Sequence, residues 1–113
     1  MFVKVLQITA AIGTIVTGFI SLFWPRSVRG FTGLSAESGR GITEIRAILG
    51  GFFVALGAAP LILNAAAAYQ MLGMAYLVVA GTRAISMFVD RSVVQSNIIS
   101  LVVEVILGVV LVL

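Results

Sequence analysis

Apolar residues fill this chain in long runs, and most of its charged positions fall where a run ends. A bilayer core about 30 Å thick is crossed by about 20 helical residues rising about 1.5 Å each. Four runs reach that length, over residues of about 3–24, 43–63, 65–89 and 92–113. The pattern therefore predicts an all-α fold with one domain over residues 1–113. Its form is an integral membrane four-helix bundle, up-down-up-down, with short loops except between helices 1 and 2.

The breaks carry their own signals. Trp24 suits the headgroup level, and Pro25 cannot continue a helical hydrogen-bond ladder. Between Pro25 and Gly41 lies the one long polar stretch, with Arg26, Arg29, Glu37, Arg40 and four glycines. Val28, Phe31 and Leu34 recur there every three residues, opposite Arg26 and Arg29. That spacing suits a short amphipathic segment lying on the membrane. An irregular loop fits as well, because Gly30 and Gly33 weaken a helix. Pro60 should bend or close the second helix, and Asn64 could cap the second or the third. Asp90 or Ser92 is expected to N-cap the fourth. The first apolar run exceeds the roughly 7–15 residues of a signal core and lacks an A-x-A-like cleavage site, so it reads as a retained span.

Composition agrees. The chain is 61% hydrophobic and 10% charged, with a mean hydropathy of +1.23. Soluble domains carry about 25% charged residues, and so few charges could not cover a small protein in water. There is no Cys and no His. Disulfides and thiol relays are therefore excluded, and the commonest zinc, copper and haem ligand is missing, as is the usual base at neutral pH. No metal site is expected, and no cofactor beyond a bound lipid or quinone.

The net charge is +3, and its placement matters more than its size. The arginines sit at helix ends and in one loop rather than in a tract, which argues against nucleic-acid binding. Arg26, Arg29, Arg40 and Arg91 are expected to contact lipid headgroups. Together with Arg46 and Arg83 they lie toward one side, against Lys4 and the amino terminus on the other. The positive-inside rule then puts both loops in the cytoplasm and both termini on the non-cytoplasmic side.

Membrane helices associate through small residues that let backbones approach. Ala47 and Gly51 are four apart, Gly50 and Gly57 seven apart, and Gly73 and Gly81 eight apart. These faces could join the four helices or receive another copy. Charges within spans are the other signal, since each costs at least about 2.5–3.5 kcal/mol at the bilayer centre unless it finds a partner. Glu104 lies about 16 Å into the fourth helix, and Arg83 about 10 Å from the same surface. An Arg83/Glu104 ion pair between the third and fourth helices follows. Glu44 and Arg46 stand at the mouth of the second helix, where Arg46 could reach headgroup phosphate or join that pair. The four could form one buried charged cluster opening toward the cytoplasm. Gln70, Tyr76 and Asn97 read as interhelical hydrogen-bonding groups, and Met71, Met74 and Met87 as packing.

One string stands out: Glu44, Ile45, Arg46, Ala47, Ile48, Leu49, Gly50 and Gly51, followed by Gly57, by Gly81, Thr82 and Arg83, by Asp90 and by Glu104. With this E-x-R-A-x-x-G-G motif the chain resembles a family of small bacterial four-helix integral membrane proteins of unknown function, broadly DoxX-like. The resemblance implies an inner-membrane bundle and directs attention to Glu44, Arg46, Arg83 and Glu104. It implies no activity. A second likeness, through Glu44 and Arg46, is to the trimeric four-helix enzymes of glutathione and eicosanoid metabolism, whose fuller Arg- and Asn-bearing pattern is absent. Three functions compete. The first is a non-enzymatic membrane protein, either a homo-oligomer or an accessory subunit of a larger membrane complex. The second is a lipid- or quinone-binding protein serving transport or redox chemistry. The third is a membrane enzyme using a buried Glu.

Overall fold

The computed structural model describes residues 1–113, all helix, turn or coil, with no strand. Helix α1 (Phe2–Phe23) leads through a 3₁₀ turn (Pro25–Val28) into the short α2 (Arg29–Thr32). After a coil, α3 (Gly39–Glu44) runs without a break into a π-helix (Ile45–Phe52) and α4 (Phe53–Leu63). Helices α5 (Ala66–Val89) and α6 (Gln95–Val112) complete the chain. Four stretches are long and apolar enough to cross a membrane: Phe2–Phe23, Gly39–Leu63, Ala66–Val89 and Gln95–Val112.

The chain divides into two compact units, Ile8–Asn64 and a second made of Met1–Gln7 with Ala65–Leu113. In the first, α1 buries Ala10, Ala11, Thr14, Gly18 and Ser21, a stripe recurring every three or four residues. Against it lie the glycines of the second span. A Cβ on Gly57 would fall 2.6 Å from the Ala11 carbonyl oxygen, and one on Gly50 would fall 2.9 Å from Leu22 Cα. A Cβ on Gly18 would fall 2.8 Å from the Gly50 carbonyl oxygen. Numbers rise along one helix as they fall along the other, so the two run antiparallel with backbones in near contact.

The side-chain distribution is the reverse of a water-soluble protein's. Thr14 and Ser21 are buried while Ile12, Val16 and Phe19 face outward. The buried hydroxyls are satisfied within their own helix. Thr14 Oγ1 donates to the Ala10 carbonyl at 2.9 Å and Ser21 Oγ to the Thr17 carbonyl at 3.1 Å.

In the second unit, α5 and α6 meet through Gly73 and Gly108. A Cβ on Gly73 would lie 2.8 Å from Leu111 Cβ, and one on Gly108 would lie 2.6 Å from Leu77 Cδ2. Tyr69, Leu72, Ala80 and Met87 of α5 and Leu111 of α6 are buried. Near the amino terminus, Gln7 Nε2 donates to the Val110 carbonyl at 3.1 Å, and Lys4 Nζ stands 4.2 Å from the centre of the Tyr69 ring.

Several local expectations are corrected. The second span starts at Gly39 rather than near residue 43, because Ser38 Oγ accepts the Gly41 N–H at 3.3 Å and caps it. Its middle is π-wound rather than α-helical, with the adjacent Gly50 and Gly51 supplying a backbone unconstrained by side chains. The fourth helix starts at Gln95 with Val94 as N-cap and no side-chain cap. Asp90 instead accepts from Ser86 Oγ, and the Ser92 carbonyl accepts from Asn97. Asn64 caps the second span, in the left-handed region at φ 47°, with its N–H on the Pro60 carbonyl. Pro60 is buried inside that helix, which continues to Leu63. The polar stretch is helical through Thr32 and is held by Val28, which is fully buried, while Phe31 and Leu34 are exposed.

Candidate functional site

The charged residues that are not exposed, Arg83 and Glu104, lie on α5 and α6. Arg83 Nε donates to Glu104 Oε1 and Nη2 to Oε2, both at 2.7 Å, a two-pronged pair of the strongest kind. Arg83 Nη1 donates to Asn97 Oδ1 at 2.8 Å, and Asn97 Nδ2 to the Ser92 carbonyl at 2.9 Å. Asn97 and Glu104 are seven residues apart, two turns along one face of α6, so both reach the same guanidinium. The side chains of Arg83 and Glu104 are 29% and 13% exposed, so the pair is only partly hydrated. Every polar group of the network has a partner, and no buried side-chain nitrogen or oxygen in the chain lacks one.

A cavity of about 340 Å³ adjoins this network, lined by Val78, Val79, Thr82, Arg83, Ser86 and Asn97. Thr82 Oγ1 returns to the Val78 carbonyl. No group of three or more His, Cys, Asp or Glu side chains converges anywhere.

Glu44 and Arg46 belong to the other unit. Glu44 pairs with Arg40 one turn earlier, on an exposed face. Arg46 is exposed and lines a separate cavity with Arg26. Arg29 and Arg91 are exposed, and Arg91 takes the left-handed conformation at φ 52° in the turn after α5. Of the glycines expected at helix contacts, Gly50, Gly57 and Gly73 are buried there. Ala47, Gly51 and Gly81 are exposed, and a Cβ on Gly81 would meet nothing within 4 Å. The close faces are set by Gly50 and Gly57 and by Gly73 and Gly108, which leaves Ala47, Gly51 and Gly81 on outward-facing surface.

Asn97 is the interhelical hydrogen-bonding group its position suggests, though sequence reasoning did not name Arg83 as its partner, and the contact of Gln7 with the end of α6 was not assigned. The seven-residue step from Asn97 to Glu104 was the available signal for the first; a single Gln near an amino terminus carries none for the second. No family model, curated protein or solved structure matches the chain.

Proposed function

We propose that this is a non-enzymatic integral membrane protein that acts by assembly, as a homo-oligomer or as an accessory subunit of a larger membrane complex. Arg83, Glu104 and Asn97 are its internal clamp. The observation that carries this reading is the closure of the network. Both Glu104 oxygens are engaged, and all three guanidinium nitrogens are donating. Each Glu104 oxygen already accepts a guanidinium N–H, and a closed ion pair of this kind fixes which helix faces meet. The exposed small residues Ala47, Gly51 and Ala55, four apart on the second span, support contact with a further helix.

The finer reading is an up-down-up-down four-helix bundle in a bacterial inner membrane, with both termini on the non-cytoplasmic side, in the broadly DoxX-like family. Its support is the four apolar spans and the arginine-rich ends that alternate with them.

Two measurements test the proposal. Native mass spectrometry after extraction in mild detergent should show a defined multimer or a stoichiometric complex, and a lone chain would overturn assembly. Unfolding of R83Q, E104Q and the double variant in micelles should show each single change costing about 3–5 kcal/mol. The double change should cost clearly less than the sum, through coupling of up to about 3 kcal/mol. Additive losses would overturn the clamp.

A further inference from the structure

Arg26 and Arg46 line a cavity of about 380 Å³ whose other walls include Phe23, Trp24, Pro25 and Ile42. The volume lies within the roughly 300–1,000 Å³ of small-ligand pockets. Both arginines are exposed, and neither guanidinium has a hydrogen-bond or ion-pair partner. No Asp or Glu lines the cavity. Glu44, the acidic residue nearest in sequence to Arg46, is held by Arg40. Two positive charges therefore face one concavity without compensation.

Both arginines stand on helical backbone. Pro25 and Val28 are buried, which pins the 3₁₀ turn bearing Arg26, and Ser27 Oγ closes that turn on the Trp24 carbonyl at 2.6 Å. Arg46 sits at the start of the π-helix, one turn beyond Ile42. The apolar walls continue an outward-facing aromatic row. The rings of Phe19 and Phe23 are 5.7 Å apart, and those of Phe23 and Trp24 are 6.2 Å apart. The cavity thus stands where an apolar helix ends at a Trp, the level of the headgroups.

We infer that this cavity binds the phosphate of an anionic membrane phospholipid, with Arg26 and Arg46 on the phosphate oxygens and the Phe23 and Trp24 rings against the glycerol end of its acyl chains. Guanidinium groups match phosphate with paired hydrogen bonds. A lipid satisfies the two guanidiniums and the aromatic wall together, which a free phosphate does not. The inference rests on the membrane reading above, and its test separates the two.

Trp24 is the only tryptophan, so its fluorescence reports this cavity alone. The full chain is reconstituted in vesicles of phosphatidylcholine and phosphatidylglycerol, with bromine near the glycerol end of one lipid at a time. Brominated phosphatidylglycerol should quench Trp24 more than brominated phosphatidylcholine at equal mole fraction. The corresponding local enrichment is on the order of fivefold per arginine. R26Q with R46Q should abolish the preference, whereas R29Q with R91Q, which leaves the Arg40–Glu44 pair in place, should leave it. Equal quenching by the two lipids in the unmodified protein would overturn the site while leaving the membrane reading intact. Quenching by neither would overturn both. Loss of the preference in R29Q with R91Q would overturn it in favour of a diffuse basic surface. Its loss on adding millimolar inorganic phosphate at constant ionic strength would overturn it in favour of a water-soluble anion.

Discussion

Replacing Gly57 with Ala tests whether backbone contact holds the first two spans together. The new methyl carbon would sit 2.6 Å from the Ala11 carbonyl oxygen, 2.7 Å from Ile15 Cγ1 and 2.9 Å from the Ile15 nitrogen. Two of those three atoms are backbone and cannot rotate away, so the helices must part. Overpacking of this kind costs about 1–3 kcal/mol. Opposing it, Ala is a better helix former than Gly by about 1 kcal/mol. The contacts here are shorter than van der Waals separation on three sides, so the net change should be a loss of about 1–2 kcal/mol. The control is Gly81→Ala, where nothing lies within 4 Å and only the propensity gain of up to about 1 kcal/mol remains. The two substitutions should therefore differ in sign. The assay is equilibrium unfolding in mixed micelles, followed by far-ultraviolet circular dichroism on both variants in parallel. Equal shifts for the two would refute the contact argument, because the substitutions share their chemistry and differ only in surroundings.

Other outcomes follow from particular contacts. Asn97→Leu removes a partner from Arg83 and from the Ser92 carbonyl; it should cost about 1–3 kcal/mol by the same unfolding assay, less than E104Q. Asn64→Gly should be close to neutral, since φ is 47° there, while Asn64→Val should destabilise by about 1–2 kcal/mol; equal midpoints would count against the left-handed cap. Ser38→Ala should remove about 0.5–2 kcal/mol of local helix stability, read as faster hydrogen exchange in α3, starting from the Gly41 amide that Ser38 holds, with α5 unchanged.

Much of this architecture is legible before any coordinates, and the reason is solvent. A membrane asks for length and apolarity, and both can be counted along the chain. Depth can be counted too: a helical rise of about 1.5 Å per residue brings Arg83 and Glu104 to neighbouring levels, and their side chains are joined at 2.7 Å. Facing is harder to count. Gly50 and Gly51 are adjacent, yet one touches Leu22 and the other is exposed. Spacing alone does not choose between them, because the π winding between Glu44 and Phe53 changes which positions share a face. Apolar runs alone miss helix starts: Ser38 caps the second span ahead of its apolar run, and Val94 caps the fourth with no side chain at all. The Arg26 and Arg46 cavity joins residues twenty positions apart across a polar stretch, so the sequence suggests headgroup contact for each arginine but not their convergence.

The π-helix also bears on what lengths of chain this fold can tolerate. Closing each turn one residue later than an α-helix leaves surplus chain inside the second span. A deletion of one residue there can be absorbed by tightening to ordinary winding, and Gly57 stays in phase with Ala11 and Ile15. The same deletion in the middle of α5 would swing every later side chain by about a quarter of a turn and carry Arg83 away from Glu104. Single-residue deletions in sequences that share this fold should therefore gather beside Gly50 and Gly51 and be absent between Gly73 and Arg83.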